Sequence, residues 1–512
     1  MGFLFDFFKR VVMTSLWAFL LAISILVGVH EYGHYKTAVS LGVKVLRFSL
    51  GFGPVVFRGS MGAKVQGSDG RERGETEFVI SLIPLGGYVT FLDENTDPAL
   101  QEDGSRAFHR QSLLTKSLIV VAGPLANLVL AVALLMAMNW MGFESAAPLL
   151  STPAEGSLAS KAALAAGARV VKASVKGQAP QEIETYAQFE KFMLSAVSTH
   201  QAVELVLHNA QGAPKGLSTV ALDVSTWTWP RPSGANAASG IDSQVDQEAA
   251  LQKAIVEDPR GVMAHLGFVG PFSQAVIGRV SPGGAAELAG LQEGDRVIAI
   301  DELPMADAVA LRTHIANSAQ SDPIAPQSWL IERQGPAQSQ AQTLKIEVTP
   351  QRKLQGATWV GKIEAYVGTP PQRVWVQEGP VDALGTGFLT VCDWTRKTIE
   401  SIYQLFAGQT QLSQLGGPIA LAKYAGESVH MGFAAFLSYL ALVSINLGVF
   451  NLLPVPALDG GHLLCYGVEW ITGRKLSERF TQGFQKLGFF FVLALSIFAL
   501  RNDLMRLWGL NP

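Results

Sequence analysis

Long runs of uncharged, apolar residues stand at both ends of the chain, on either side of a more polar middle. The first run extends from Val11 to Val29, the second from Ser117 to Phe143 and the third from Gly432 to Leu458. The first is close to the roughly 20 residues that a helix needs to cross the hydrocarbon core of a bilayer, and the second and third are of ample length. A fourth run, Leu487 to Leu500, is shorter and spans only if the charged residues beside it reach the interfaces. The pattern predicts a multi-pass α-helical membrane protein with four spans.

The first run has a competing interpretation. Lys9 and Arg10 precede it and imitate the basic n-region of a cleaved signal peptide. The run is long, however, and no small-x-small cleavage site follows it, which favours a spanning helix.

Lysine and arginine near the span ends predict the orientation, because these residues stay on the cytoplasmic side during insertion. They cluster between the first and second runs and between the third and fourth, which places the polar middle outside the cytoplasm. Lys9 and Arg10 argue the other way for the N-terminus. The residues that carry the prediction are Lys36, Lys44, Arg47, Arg106, Arg110, Lys116, Arg474, Lys475, Arg479 and Lys486.

The middle of the chain has short alternating strand patterns broken by Gly, Pro and Ser, which are typical of small β-rich domains. It contains an internal repeat: Val280 to Ile300 reads as strand, turn, short helix and strand, and Pro153 to Val171 is a weaker copy. A segment rich in Ala, Ser and Gly, Gly234 to Gly240, predicts a linker between them.

The stronger copy resembles a bacterial PDZ domain, and the weaker copy a diverged one in which Ala168 replaces Asp295. PDZ domains bind extended peptides along a sheet edge, often with a backbone loop around the terminal carboxylate. Gly267 and Phe268, in the sequence Leu266-Gly267-Phe268, are the candidate loop. The alternative is a pair of domains that only shields the membrane site.

Composition agrees with a membrane protein of more than one folding unit. The chain has 512 residues, of which 48% are hydrophobic and 16% charged. The net charge of -3 and the absence of a long basic tract exclude nucleic acid as an expected partner. Cys392 and Cys465 are the only cysteines, so neither a disulfide framework nor a cysteine metal site is expected.

Metal chemistry is predicted at the end of the first run, where His30-Glu31-Tyr32-Gly33-His34 fits the pattern H-E-x-x-H. Residues four apart share one face of a helix, so both imidazoles can reach one zinc ion. Glu31 can then take a proton from the attacking water. Ionisable groups beside a membrane span are costly and usually serve a function.

A catalytic zinc site needs a third protein ligand. Asp459 is the only acidic residue in or next to the third run. Pro454 and Pro456 break the helix just before it and allow the chain to line a cavity. His462 is the rival for the ligand role, since it lies three residues after Asp459.

Asn451 precedes the two prolines and is a candidate hydrogen-bond donor to the oxyanion or to the substrate backbone. Its alternative role is helix packing. The remaining histidines show no ligand spacing and are interpreted as surface or core residues: His109, His200, His208, His265, His314 and His430.

The two motifs, H-E-x-x-H at 30–34 and N-x-x-P-x-P-x-L-D-G-G at 451–461, together resemble the site-2 protease family of intramembrane metalloproteases. The paired PDZ-like segments narrow the resemblance to the bacterial branch that regulates sigma-E. The resemblance implies a Zn²⁺ cofactor held by His30, His34 and Asp459, with Glu31 as general base and Asn451 handling the substrate.

The resemblance also implies a location in the bacterial inner membrane, with the PDZ-like domains periplasmic and the active site near the cytoplasmic side. The implied substrates are single-span membrane proteins, such as a trimmed anti-sigma factor, and remnant signal peptides. Residues 43–57 and 78–88 look like the family's membrane-dipping β segments. Residues 123–127 also look family-like, and we interpret their small side chains as a helix-packing feature.

An amphipathic stretch, Val381 to His430, precedes the third span and is expected to lie along the outer membrane face or to be an ordinary packing helix. The predicted organisation is a first span (1–36), a cytoplasmic loop (37–116), a second span (117–143), two PDZ-like domains (144–240 and 241–374), surface helices (375–431), a third span (432–462), and a loop with the fourth span (463–512).

Two other functions compete with an intramembrane protease. A membrane-anchored zinc protease with a soluble catalytic domain would need a glutamate ligand after His34 on a helix, and the sequence offers none. A non-enzymatic scaffold that only presents PDZ domains would have no use for the base Glu31.

Overall fold

A computed structural model describes residues 2–66, 72–92, 105–208, 216–225, 227–229, 244–321, 323–334, 341–355, 358–408 and 416–507. The chain forms two compact units. Unit 1 comprises Met1–Phe143 and Gln377–Pro512, and unit 2 comprises Glu144–Val376.

The helices, in chain order, are α1 Gly2–Ser40, α2 Leu113–Met141, α3 Leu158–Lys161, α4 Tyr186–Ser198, α5 Gln244–Glu257, α6 Pro259–Leu266, α7 Ala285–Leu288, α8 Ala308–Asn317, α9 Pro380–Phe406, α10 Pro418–Met431, α11 Phe433–Leu452, α12 Asp459–Thr472 and α13 Glu478–Leu507. The strands are β1 Val45–Gln66, β2 Glu72–Phe91, β3 Phe143–Ala146, β4 Arg169–Val175, β5 Gln181–Glu182, β6 Val203–His208, β7 Leu217–Leu222, β8 Ile277–Val280, β9 Arg296–Ile300, β10 Leu303–Pro304, β11 Gln327–Arg333, β12 Gln342–Val348, β13 Gln351–Gln355, β14 Thr358–Lys362, β15 Ala365–Val367 and β16 Arg373–Val376.

Within the described residues, four helices of unit 1 are long and apolar enough to cross a membrane. They are Met13–Ser40 within α1, then Leu113–Met141, Phe433–Leu452 and Arg479–Leu507. These helices coincide with the four apolar runs of the sequence and support a membrane protein with added β-rich parts.

The helix bounds differ from the predicted runs at both ends of the chain. Helix α1 continues past Val29 to Ser40, so the H-E-x-x-H motif lies inside a helix and not at its end. The added turns carry buried side chains, Tyr35 and Ala38, which pack on residues of β1. The fourth helix likewise extends beyond its apolar run in both directions.

The third apolar run contains the end of a helix. Helix α11 stops at Leu452, and the chain turns before α12 begins at Asp459. Pro454 and Pro456 lie in this turn, as expected for residues that lack an N–H donor and cannot continue a helix. The predicted 27-residue run is therefore one membrane-length helix followed by a turn.

The helices of unit 1 share apolar cores. One core joins Ala131 of α2, Val391 of α9 and Ile445 of α11. A second joins Ala22 of α1 to α10 and α11 through Ala425 and neighbouring side chains. The amphipathic segment before the third span therefore forms two helices, of which α9 packs along α2 and α11 and α10 packs on α1.

The predicted β segments of the first loop form an antiparallel pair, β1 with β2. Both strands are bent, and residues 47–50 pair with residues 77–80 on one side and with residues 87–90 on the other. Arg47 and Arg58 both form ion pairs with Glu77 across this sheet.

Unit 2 contains two lobes with the same order of elements: a short helix, a strand, a short hairpin strand, a longer helix and two more strands. The first lobe has a four-stranded sheet with strand order β5-β4-β6-β7, and the second has the order β10-β9-β11-β12. The equivalent strand order shows that the sequence repeat corresponds to a structural repeat.

The lobe boundary differs from the predicted one at residues 240/241. Helices α5 and α6 follow that position, yet Leu251 and Met263 are buried in the core of the first lobe together with Phe189. The strand pattern alone assigned these helices to the wrong repeat, because they lie outside the repeated motif. The linker predicted at Gly234 to Gly240 lies outside the described residues.

Candidate metal site

The H-E-x-x-H motif forms one wall of the site. His30 and His34 are separated by one helical turn of α1, and their Nε2 atoms lie 3.2 Å apart. Both side chains are nearly buried, with relative exposures of 9% and 12%. Two imidazole nitrogens are therefore directed at a common point inside the protein.

The turn between α11 and α12 brings a carboxylate to the same point. A Cβ atom at Gly460 would lie 2.1 Å from the carbonyl oxygen of Leu453, and one at Gly461 would lie 2.5 Å from that of Val455. Only glycine permits this close return of the chain. The turn places Asp459 in the first turn of α12, where a helix stabilises a negative charge.

Asp459 completes a group of three possible ligands. Its Oδ2 atom lies 3.2 Å from Nε2 of His30 and 3.6 Å from Nε2 of His34. The ligand atoms of the three residues all lie within 4.8 Å of one another. Oδ2 is buried, and it has no hydrogen-bond partner among the residues that the structure describes.

This arrangement fits a zinc ion. Metal–ligand bonds of about 2.0–2.1 Å at tetrahedral angles place the ligand atoms roughly 3.3 Å apart. The three separations, 3.2, 3.2 and 3.6 Å, are close to that value. Two imidazoles and one carboxylate also match the donor set of a catalytic zinc site, which leaves a fourth position for water.

Helix α2 lies against the outer edges of both imidazoles. Nδ1 of His34 is 2.8 Å from the backbone oxygen of Ile119, and Nδ1 of His30 is 3.2 Å from the side-chain nitrogen of Asn127. A Cβ atom at Gly123 would lie 2.2 Å from Nε2 of His34, so the ring occupies the space that this glycine leaves open.

Glu31 lies beside the three candidate ligands and interacts electrostatically with each of them. Strand β2 closes its other side: a Cβ atom at Gly87 would lie 2.9 Å from Cγ of Glu31 and 2.8 Å from the backbone oxygen of Ser49. The close backbone of the sheet therefore limits where the Glu31 side chain can go.

The other predicted residues occupy different positions. His462 lies on α12, near Tyr466, and does not join the three-residue ligand group found within the described residues. Asn451 is half-buried in the last turn of α11, just before the turn that leads to Asp459.

The candidate peptide loop of unit 2 lies at the C-terminal end of helix α6. Gly267 ends α6 in a left-handed conformation with φ of 105°. The Phe268 side chain is only 4% exposed and packs on Phe189 in the core of the first lobe. The aromatic ring of Phe268 is therefore part of the core of the first lobe.

Sequence reasoning missed Asn127 and Gly87 as parts of the site. Asn127 is a buried amide within an apolar membrane-length helix, which is a signal that a sequence can show. The role of Gly87 depends on how β2 lies on α1 and has no local signal.

Paired histidines, a carboxylate from a second helix and an adjacent glutamate, held on membrane-length helices, define a membrane metallopeptidase. The chain belongs to peptidase family M50, the site-2 proteases, which it matches over residues 18–495.

Relatives of nearly the same length support this assignment. A putative zinc metalloprotease of Ralstonia nicotianae is 33% identical over 502 residues, which cover 97% of this chain and 99% of the relative. The regulator of sigma-E protease RseP of Escherichia coli is 31% identical over 509 residues, covering 97% and 100%. The regulator of sigma E protease of Haemophilus influenzae is 31% identical over 496 residues, covering 96% and 99%.

The family and these relatives identify the chain as a zinc metalloendopeptidase of the site-2 protease type. Together with the four membrane-length helices, they indicate a protein of the bacterial inner membrane that acts in regulated intramembrane proteolysis.

Proposed function

We propose that His30, His34 and Asp459 hold a catalytic zinc ion and that the protein cleaves the transmembrane segments of single-span membrane proteins. One observation carries the proposal: three ligand atoms from two separate helices converge with the spacing of a zinc site, next to a glutamate. Helix α1, which supplies two of these ligands and the glutamate, is long enough to cross the bilayer.

In the proposed reaction, bound zinc supplies Lewis-acid activation of a water molecule and of the scissile carbonyl. Glu31 accepts the proton of the attacking water and then donates it to the leaving amine. Gly87 and the strand around it keep the Glu31 side chain directed toward the ligands. Asn451 donates a hydrogen bond to the oxyanion or to the substrate backbone.

Substrate presentation is assigned to the sheet of β1 and β2. A peptide must be extended to be cut, and an exposed strand edge can bind it by adding it to the sheet. Strand β2 contacts the glutamate of the site through Gly87, so a substrate strand beside it would lie close to Glu31. This supports the β segments as the element that unwinds a substrate helix.

The names of the relatives favour a regulatory substrate. Several are regulators of sigma-E, which is consistent with a trimmed anti-sigma factor as the substrate and with a role in envelope stress signalling. Remnant signal peptides are the second substrate class, since they too are single membrane-spanning segments.

Unit 2 is assigned to two PDZ-like domains on the periplasmic side, with the zinc site nearer the cytoplasmic face. The repeated strand order of the two lobes supports the domain assignment, and the charge distribution of the sequence supports the orientation. The proposed role of the pair is to exclude substrates that still carry a large periplasmic domain.

The decisive experiment is the Glu31→Gln variant, tested against a single-span reporter in membranes and in detergent. The variant removes the base but no metal ligand, so cleavage should fall by at least about 10²-fold while zinc content stays at one ion per chain. Wild-type protein without zinc would contradict the ligand set. A zinc-loaded Glu31→Gln protein with full activity would contradict the role of the base.

A further inference from the structure

Helix α2 presents one continuous face to the two histidines. Ile119, Gly123 and Asn127 are spaced four residues apart and therefore lie on one side of the helix. His34 contacts the first two of them, and His30 contacts the third. The segment that we interpreted from sequence as a packing feature thus borders the metal site.

The hydrogen bond at Nδ1 decides whether a histidine can bind a metal through Nε2. A ring that ligates through Nε2 carries its proton on Nδ1, so Nδ1 must donate. For His34 this condition is met, because Nδ1 faces the backbone oxygen of Ile119, which only accepts. The ring of His34 is therefore held in the metal-binding tautomer by a group that cannot change its role.

His30 faces a group that can both donate and accept. Its Nδ1 atom lies 3.2 Å from the amide nitrogen of Asn127, while the Oδ1 atom of Asn127 is buried without a hydrogen-bond partner among the described residues. An amide nitrogen donates to Nδ1 and places the ring proton on Nε2, which blocks metal binding there. A half-turn of the amide about its Cβ–Cγ bond brings Oδ1 to Nδ1. Nδ1 then carries the ring proton and donates it to Oδ1, which leaves Nε2 able to bind a metal.

The surroundings of Asn127 favour a role as the hydrogen-bond partner of His30. It is fully buried, with 0% relative exposure, in a helix that is otherwise mostly apolar. Its backbone oxygen accepts a hydrogen bond from Oγ of Ser444, which fixes this part of α2 against α11. A buried amide with one unpaired atom is costly unless it has a partner in the working state.

We propose that Asn127 is a positioning residue of the zinc site: in the metal-loaded protein its Oδ1 accepts the hydrogen bond from Nδ1–H of His30 and fixes the metal-binding tautomer. The inference rests on the proposed function, because it assigns a partner to one of the proposed ligands. The two histidines then have different hydrogen-bond acceptors for Nδ1–H: a backbone oxygen for His34 and a side-chain oxygen for His30.

The test measures zinc affinity in the full-length purified protein by competition with a chelator. Asn127→Leu and the smaller Asn127→Ala both remove the acceptor, and zinc affinity should fall about 10–100-fold in each, the usual effect of losing an outer hydrogen bond to a ligand. Asn127→Asp keeps an acceptor at the same position and should bind zinc at least as tightly as the wild type.

Asn139→Leu is the matched control. Asn139 is another buried asparagine of α2, about 18 Å farther along the helix axis. This variant should retain wild-type zinc affinity, and thermal unfolding of the metal-free proteins reports any general loss of packing. The absorption spectrum of the Co²⁺-substituted proteins gives a second readout, which should change in the Leu and Ala variants and be preserved in the Asp variant.

The outcomes separate the inference from the proposed function. Wild-type protein that does not bind zinc overturns the proposed function. Wild-type protein that binds zinc, together with unchanged affinity in both Asn127→Leu and Asn127→Ala, overturns only the role of Asn127. An Asn127→Asp protein as weak as the Leu variant also overturns it, since the acceptor would then be irrelevant.

Discussion

Oδ2 of Asp459 lies 3.2 Å from Nε2 of His30, although the two residues belong to helices near opposite ends of the chain. Together with His34, these two residues form a group of three possible metal ligands, and no other acidic side chain belongs to that group within the described residues. The proposed zinc site therefore depends on α1 and the turn before α12 being held together.

We expect Asp459→Ala to lose zinc, because two imidazoles alone leave the ion with too few protein ligands. The affinity should fall by more than the roughly 10–100-fold that the loss of an outer hydrogen bond causes. Metal analysis after dialysis against a chelator measures the effect. His462→Ala is the control and should keep its zinc; the reverse result would transfer the ligand role to His462.

Gly87→Ala should reduce catalysis without removing zinc. The new Cβ atom would lie 2.9 Å from Cγ of Glu31 and 2.8 Å from the oxygen of Ser49, so the base must move. Displacement of a catalytic group by about 1 Å can cost about 10²-fold in rate.

Cleavage of a single-span reporter and zinc content measure the two effects separately. Gly59→Ala in the same sheet is the control, because the nearest atom to its Cβ is a ring atom of Phe57 at 3.3 Å, which can move aside. Equal activity of the two variants would show that β2 does not position Glu31.

Much of the site was predictable from sequence because its chemistry is encoded locally. H-E-x-x-H spacing places two imidazoles on one helix face whatever surrounds it. Asp459 was predicted by elimination, as the only acidic residue in or next to the third run. The family assignment and the zinc endopeptidase activity that these motifs predicted are confirmed.

The remaining features depend on how distant segments are aligned. Asn127 meets His30 only because α2 lies along α1 in one particular register, which no local pattern specifies. The boundary between the lobes of unit 2 was missed for a similar reason. Helices α5 and α6 follow the first repeat and complete its core, and the strand periodicity used for the prediction does not detect them.

Asp295 gives a third example. The weaker repeat has Ala168 at the equivalent position, and the Asp295 carboxylate is fully buried and pairs with Arg333 inside the second lobe. Nε and Nη2 of Arg333 donate to the two carboxylate oxygens at 2.6 and 2.7 Å, and these bonds raise the pKa of Arg333. The acidic residue is therefore part of the internal structure of the lobe.

We expect Arg333→Leu to destabilise unit 2 more than Asp295→Ala does. Removal of the arginine leaves a buried carboxylate without its cationic partner and, among the described residues, with only the backbone N–H of Gln292 still donating to it, which costs about 3–5 kcal/mol. Removal of Asp295 leaves an arginine that is 23% exposed and can turn toward solvent, so the loss should be smaller.

Hydrogen exchange of β9 and β11 in the full-length protein compares the two variants. The double variant should be no less stable than Arg333→Leu alone, because it removes the unpaired charge. If the two single variants lower the stability of unit 2 equally, the ion pair is not buried enough to make the loss of Arg333 costlier than the loss of Asp295.

The last prediction concerns Asp503 near the end of α13, whose carboxylate accepts hydrogen bonds at 3.0 Å from the backbone N–H groups of Gly417, Ile419 and Ala420. These donors lie at the start of α10, so Asp503 acts as the N-terminal cap of a helix distant in sequence.

Asp503→Ala should lower the free energy of unfolding by about 2–3 kcal/mol, since it leaves buried donors without an acceptor. Asp393→Ala, which removes exposed ion pairs with Lys397 and Arg396, should cost about 0.5 kcal/mol or less. Thermal unfolding in one detergent compares them, and similar losses would contradict the capping role.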